Sequence, residues 1–180
     1  EQAASHYNAY TPFDAVIKGI RPGTHRLEVI ADNSFGPDSA LHVPNDYQSY
    51  GGISRGVVLE ELEEAYICWI HVTPFLRKDG WYGKAEICVR NLSGEGFEGS
   101  LAVEIGGYPF AVLPAVLAGE ETRCFTTEEV PCPWAECWSP EAPVLYSVSA
   151  VLSTKQRAID DLIDRTGFRE IRTEGKDILL

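Results

Sequence analysis

Strict alternation of apolar and polar residues recurs along this chain, and it leaves few folds open. Over residues 82–91, Ala85, Ile87 and Val89 alternate with Lys84, Glu86 and Arg90. Over residues 100–105, Leu101, Val103 and Ile105 alternate with Ala102 and Glu104. Over residues 144–153, Leu145, Ser147, Ser149 and Val151 take one face, and Tyr146, Val148, Ala150 and Leu152 the other. Successive side chains of a strand point to opposite faces, so a period of two sends every second residue into a core. Residues 13–17, 25–32, 56–62, 65–72 and 122–130 read as further strands. Arg21-Pro22-Gly23 marks a turn, and Gly106-Gly107 a hairpin turn. Helical spacing surfaces only at Ile159, Leu162 and Ile163, where the neighbouring strands favour a strand as well. Turns roughly every ten residues predict an all-β sandwich.

Two long connections interrupt the pattern. Residues 34–50 carry Gly36, Pro37, Pro44 and Asp46 with little periodicity, as functional loops do. Residues 131–143 hold four prolines around Trp134 and Trp138, and two indoles need burial, so an ordered connector is expected. A domain split is expected at residues 62–65.

The formal net charge of −12 repels phosphate backbones, so nucleic acid is not an expected partner. Neither a basic amphipathic stretch nor a long apolar run points to a membrane. Residues 1–10 lack the basic start and apolar core of a leader, and without methionine Glu1 reads as the start of a trimmed chain. Five cysteines, an odd number, favour free thiols in a reducing, cytoplasmic compartment. Cys68 and Cys88 read as small apolar strand residues. A Cys132–Cys137 disulfide is the alternative to free thiols there.

No catalytic centre assembles from local motifs. Glu60, Glu61, Glu63 and Glu64, and likewise Glu120, Glu121, Glu128 and Glu129, read as solvated edges. His6, His25, His42 and His71 have no metal-ligand spacing, so neither a metal nor a cofactor is implied. Asp46, four residues before Tyr50-Gly51-Gly52-Ile53, is the carboxylate best placed to meet a sugar hydroxyl. Its plainer reading is a turn cap after Pro44-Asn45.

Asp46-Tyr-Gln-Ser-Tyr-Gly-Gly-Ile-Ser-Arg-Gly-Val-Val-Leu59 resembles the signature that closes the N-terminal sugar-binding jelly roll of glycoside hydrolase family 2. Tyr10-Thr-Pro-Phe-Asp14, Gly23-Thr-His-Arg-Leu-Glu-Val29 and Asp32-Asn33 are similar to earlier segments of that domain, in the same order. Trp138-Ser-Pro-Glu-Ala-Pro-Val-Leu-Tyr146 resembles a segment of the family's immunoglobulin-like domain. Gly167-Phe-Arg-Glu-Ile171 resembles the element leading into its barrel. The chain departs from the family at Asn8-Ala9, where a glycine pair is frequent, and at Thr24-His25, where an asparagine is common.

The resemblance implies part of a galactose-binding-like jelly roll over residues 1–62, an immunoglobulin-like sandwich over 63–173, and the start of a link to a (β/α)8 barrel over 174–180. It implies a parent that hydrolyses β-glycosides with retention, its catalytic glutamates in the barrel and none of them here. The 180 residues alone would then be inactive. It assigns Asp46 to substrate binding and Arg55 to a structural ion pair or carbonyl contact. The Tyr-Gly-Gly-Ile form favours β-galactosidase over β-glucuronidase. The expected partner is a carbohydrate reached through the barrel, in a protein of bacterial type, with a homo-oligomer left open. The rival from another class is a free-standing carbohydrate-binding or adhesive sandwich. It would need Trp69, Trp81, Trp134 and Trp138 as a stacking platform, and the strand setting of Trp69 and loop setting of the last two favour packing instead.

Overall fold

The computed structural model describes residues 3–8, 11–34, 51–53 and 55–179. The chain forms two compact units, Glu1–Leu59 and Glu60–Leu180. Among the described residues of the first unit there is neither strand nor helix. The strands expected at 13–17, 25–32 and 56–62 are therefore not formed. Alternation gives a segment two faces, but a strand exists only where a neighbour accepts and donates its backbone hydrogen bonds, and no described residue does so here. Leu27, Val29 and Ile30 are correspondingly exposed, as are Val57, Val58 and Leu59. Local order comes from short contacts instead. The Arg21-Pro22-Gly23 turn is present, with Gly23 at φ 147° and the Arg21 carbonyl 2.7 Å from Nε2 of His25. The Ser34 N–H donates to Oδ1 of Asp32 at 2.9 Å, and the Ser34 hydroxyl, followed by that N–H, holds the Asp32 carboxyl below its ordinary value.

The second unit carries the strands. β1 (Ala65–Arg77) pairs with β2 (Gly80–Asn91), which also pairs with β5 (Thr122–Thr126) and the short β6 (Val130–Pro131). Facing this sheet is a second one in the order β4 (Tyr108–Leu117), β3 (Phe97–Ile105), β7 (Tyr146–Ser153), β8 (Ala158–Thr166). β9 (Arg172–Glu174) and β10 (Asp177–Leu179) form a separate hairpin. Within the two main sheets all named pairings are antiparallel. Two sheets over a shared core in this order form an immunoglobulin-like sandwich whose fourth strand joins the β3 side.

The core follows the alternation. Ala85, Ile87 and Val89 of the first sheet meet Leu101, Val103, Ile105, Val148, Ala150 and Leu152 of the second, all buried. The strand reading at Ile159, Leu162 and Ile163 holds, since all three lie in β8. The Gly106-Gly107 turn also holds, with both glycines at positive φ (62° and 80°), as a type I′ hairpin requires. Residues 122–130 divide into β5 and the start of β6, and Thr127 between them binds β2 from both ends. Its N–H donates to the Ala85 carbonyl at 2.9 Å, and its Oγ1 accepts the Ala85 N–H at 3.0 Å. Asn91, fully buried at the end of β2, ties down two loops. Its Nδ2 donates to the carbonyls of Glu95 (2.7 Å) and Ala118 (2.8 Å). None of the five cysteines is in a disulfide, so the Cys132–Cys137 bridge is not formed. Cys132 is packed in the core beneath Gly83 while Cys137 faces solvent.

Candidate functional site

β1 and β8 are edge strands of opposite sheets and run beside each other. A buried edge needs partners for its backbone groups. β8 supplies one through a side chain, because Oδ2 of Asp160 accepts the Ile67 N–H at 2.6 Å, beside the β1 bulge between Ile67 and Trp69. Partial burial pushes the Asp160 carboxyl above its ordinary value, against the opposing pull of the Ile67 and Asp161 N–H groups. Elsewhere β1 and β8 flank an open groove of about 710 Å³, whose wall is completed by Trp138 and the turn after β8. Its polar lining includes His71, Thr73, Asp164, Arg165, Arg169 and Glu170.

The turn after β8 is held by Phe168, which exposes 0% of its surface. Its ring packs edge-on against Trp81, Trp134 and Tyr146, with centroids 5.9, 5.5 and 5.6 Å away. Its carbonyl accepts the Trp138 N–H at 2.8 Å. Gly167 is required beside it, because a Cβ there would press on the Trp138 indole at 3.0 Å. The Arg169 guanidinium lies 4.7 Å from the Trp138 ring centroid, within cation–π range. The proline-rich connector is thus ordered, as its tryptophans require. The Tyr146 hydroxyl accepts the Glu136 N–H at 2.9 Å, and Tyr108 stacks on Trp134 at 4.8 Å.

Retaining hydrolysis of a glycoside needs two carboxyl groups about 5 Å apart across the scissile bond, one of them protonated. The groove carboxylates Asp164 and Glu170 are both exposed. The carboxyl that burial does raise, Asp160, is committed to the β1 backbone. Among the described residues no group of three His, Cys, Asp or Glu side chains could hold a metal ion. The acidic runs are edges, as read from sequence. Glu63 pairs with Arg157 at 2.8 Å, and Glu129 takes Nη2 of Arg77 on both oxygens. Asp46 and His42 lie outside the described residues, and Arg55 is exposed. His6 bonds Thr11 at 2.9 Å and stacks on Phe13, and His71 faces the groove from β1. Trp81 and Trp134 are packing residues. Trp69 corrects the expectation, since it is 41% exposed on the outer face of its sheet. The β1 bulge shifts its register by one residue there, which turns the indole outward. Asp160 went unnoticed in sequence, where it is one of two adjacent acids, and only the strand pairing shows that it caps another strand.

No family model matches the chain. A crystal structure of a GH2 β-galacturonidase from Eisenbergiella tayi bound to galacturonate is 78% identical over 98% of this chain, with a TM-score of 0.94. The chain belongs to glycoside hydrolase family 2. The match covers 32% of that solved chain. Two curated proteins align over almost all of these residues at lower identity. One is a putative β-glucuronidase of Formosa agariphila, 23% identical over 94% of this chain and 20% of its own length. The other is a β-galactosidase of Thermoanaerobacter pseudethanolicus, 26% identical over 98% of this chain and 24% of its own length. The family member described here thus spans about a third of its solved relative and a quarter or less of the curated ones.

Proposed function

We propose that these residues form the non-catalytic β-sandwich portion of a retaining β-glycosidase whose substrate is a β-galacturonide. The observation that carries this reading is the 78% identity, over 98% of the chain, to an enzyme solved with galacturonate. A sandwich core tolerates much replacement while its pattern and volume are kept, so identity this high extends well past what packing demands. A β-galacturonide shares the galacto configuration of a β-galactoside and carries a carboxylate at C6. The reading therefore keeps the β-galactosidase-like expectation and adds a negative charge to the sugar.

In this reading residues 1–62 belong to a sugar-binding jelly roll, 63–173 are the immunoglobulin-like sandwich, and 174–180 begin the link to the barrel that holds both catalytic glutamates. Asp46 reaches the substrate from the rim. The sandwich supports the cleft and takes no part in proton transfer.

The test is the full-length protein on aryl β-galacturonide, β-glucuronide and β-galactoside. A kcat/KM for the galacturonide at least roughly tenfold above both others supports the reading. Preference for the neutral galactoside, or for the glucuronide, overturns its substrate half. The 180-residue chain alone should turn over none of the three. Calorimetry on this chain with galacturonate separates the rival, because strong binding without the barrel would mark a free-standing sugar-binding sandwich.

A further inference from the structure

Cys68, Cys88 and Cys124 are distant in sequence, but the pairing of β1, β2 and β5 sets them in one row across a sheet. Cys88 and Cys124 are direct partners in the β2–β5 ladder. Cys68 is the bulged residue of β1, between the Ile67–Val89 and Trp69–Cys88 pairs. Cys88 alternates with the core residues Ile87 and Val89, so it belongs to the outer face. It is nevertheless only 5% exposed, because strands flank it on both sides. Cys124 is exposed at the open edge, directly opposite Cys88.

The ladder fixes which kind of pair this is. The Thr127 N–H bonds the Ala85 carbonyl at 2.9 Å and the Asn91 N–H bonds the Glu121 carbonyl at 2.8 Å. Hydrogen-bonded pairs alternate with non-hydrogen-bonded ones along an antiparallel ladder. Counting inward from either end places Cys88–Cys124 at a non-hydrogen-bonded position. There opposed Cα atoms are about 4.5 Å apart and side chains lie closest, within the span of about 4.4–6.8 Å that a disulfide bridges.

We infer that Cys88 and Cys124 are a thiol modification site that closes to a cross-strand disulfide when a low-molecular-weight disulfide such as oxidised glutathione reaches Cys124. The Cys124 thiolate attacks one glutathione sulfur, forms a mixed disulfide and expels one glutathione thiolate. The Cys88 thiolate then attacks the Cys124 sulfur, forms the protein disulfide and expels the second. Two protein thiols lose two electrons and two protons, and one glutathione disulfide becomes two thiols. Burial, and then the neighbouring thiols, push Cys88 up to about 12, so the second step is slow at neutral pH and quickens as its thiolate fraction grows.

The experiment uses the full chain carrying Cys137→Ser, which removes the other exposed thiol, incubated with oxidised glutathione and followed by intact mass and peptide mapping. One adduct on Cys124 appears first. It is then replaced by a species lacking two hydrogens in which the peptides of Cys88 and Cys124 are joined. Conversion is about tenfold faster for each pH unit. Cys88→Ser halts at the Cys124 adduct. Cys124→Ala, a change at an exposed position, gives no crosslink. An adduct on Cys124 that persists through about pH 9, a link to Cys68 instead, or a crosslink that forms only in urea overturns the proposal.

Discussion

Phe168 is surrounded by three aromatic rings and has no solvent contact. Truncation to alanine removes a full ring from a packed site, so Phe168→Ala should cost about 3–5 kcal/mol in urea unfolding. A loss below about 1 kcal/mol would show that the ring is dispensable. Asp160 separates charge from hydrogen bonding. Asp160→Ala strands the Ile67 N–H and should cost about 1–3 kcal/mol, whereas Asp160→Asn retains an acceptor. The pH dependence has a definite sign. The folded carboxyl titrates above its ordinary 3.8, so between those two values the native state binds more proton than the unfolded one. Stability from this group therefore falls as pH rises through that interval. Asp160→Asn should abolish this part of the pH profile, and an unchanged profile would assign it to another group. Neither role shows in a one-dimensional pattern. Phe168 is followed by Arg169 and Glu170 outside any alternation, and the resemblance marked it as a lead into a barrel rather than as core. Both roles depend on which distant strand lies opposite.

At the level of elements, β2, β3 and β7 were legible because each is covered on one face and paired on both edges, so the period of two maps directly onto burial. β4 was not. Pro109 and Pro114 break its reading as a strand, yet among the described strands β4 pairs with β3 alone, and an edge strand tolerates residues without a backbone donor. The first unit shows the converse, since its alternating segments have no described ladder. The β9–β10 hairpin has just each other as partners and an exposed Ile178, and a two-stranded hairpin is marginal in water. Amide exchange should therefore be slowest in β2, β3 and β7 and fast in β9 and β10. Protection of the hairpin equal to that of β3 would require a covering surface not seen among the described residues.

For the whole molecule, every member of the buried core among the described residues lies between Ala65 and Phe168. Residues 60–180 produced alone should fold and unfold in one cooperative step, with a midpoint close to that of the full chain. An unfolded fragment would show that the sandwich depends on the first unit. The proposed site was legible differently from the fold. Asp46 stood out from the other 26 acids by its place beside Tyr50-Gly51-Gly52-Ile53, which also suits a turn cap, and only the order of several short motifs turned that into a substrate-binding role. The aromatic cage has a bearing on biosynthesis. Its central ring is contributed by the final stretch of the sandwich, so a nascent chain can hydrogen-bond most of its ladders and still lack the plug that seals them. A nascent chain that has not yet released residue 168 would present a sandwich without its aromatic plug to chaperones and proteases.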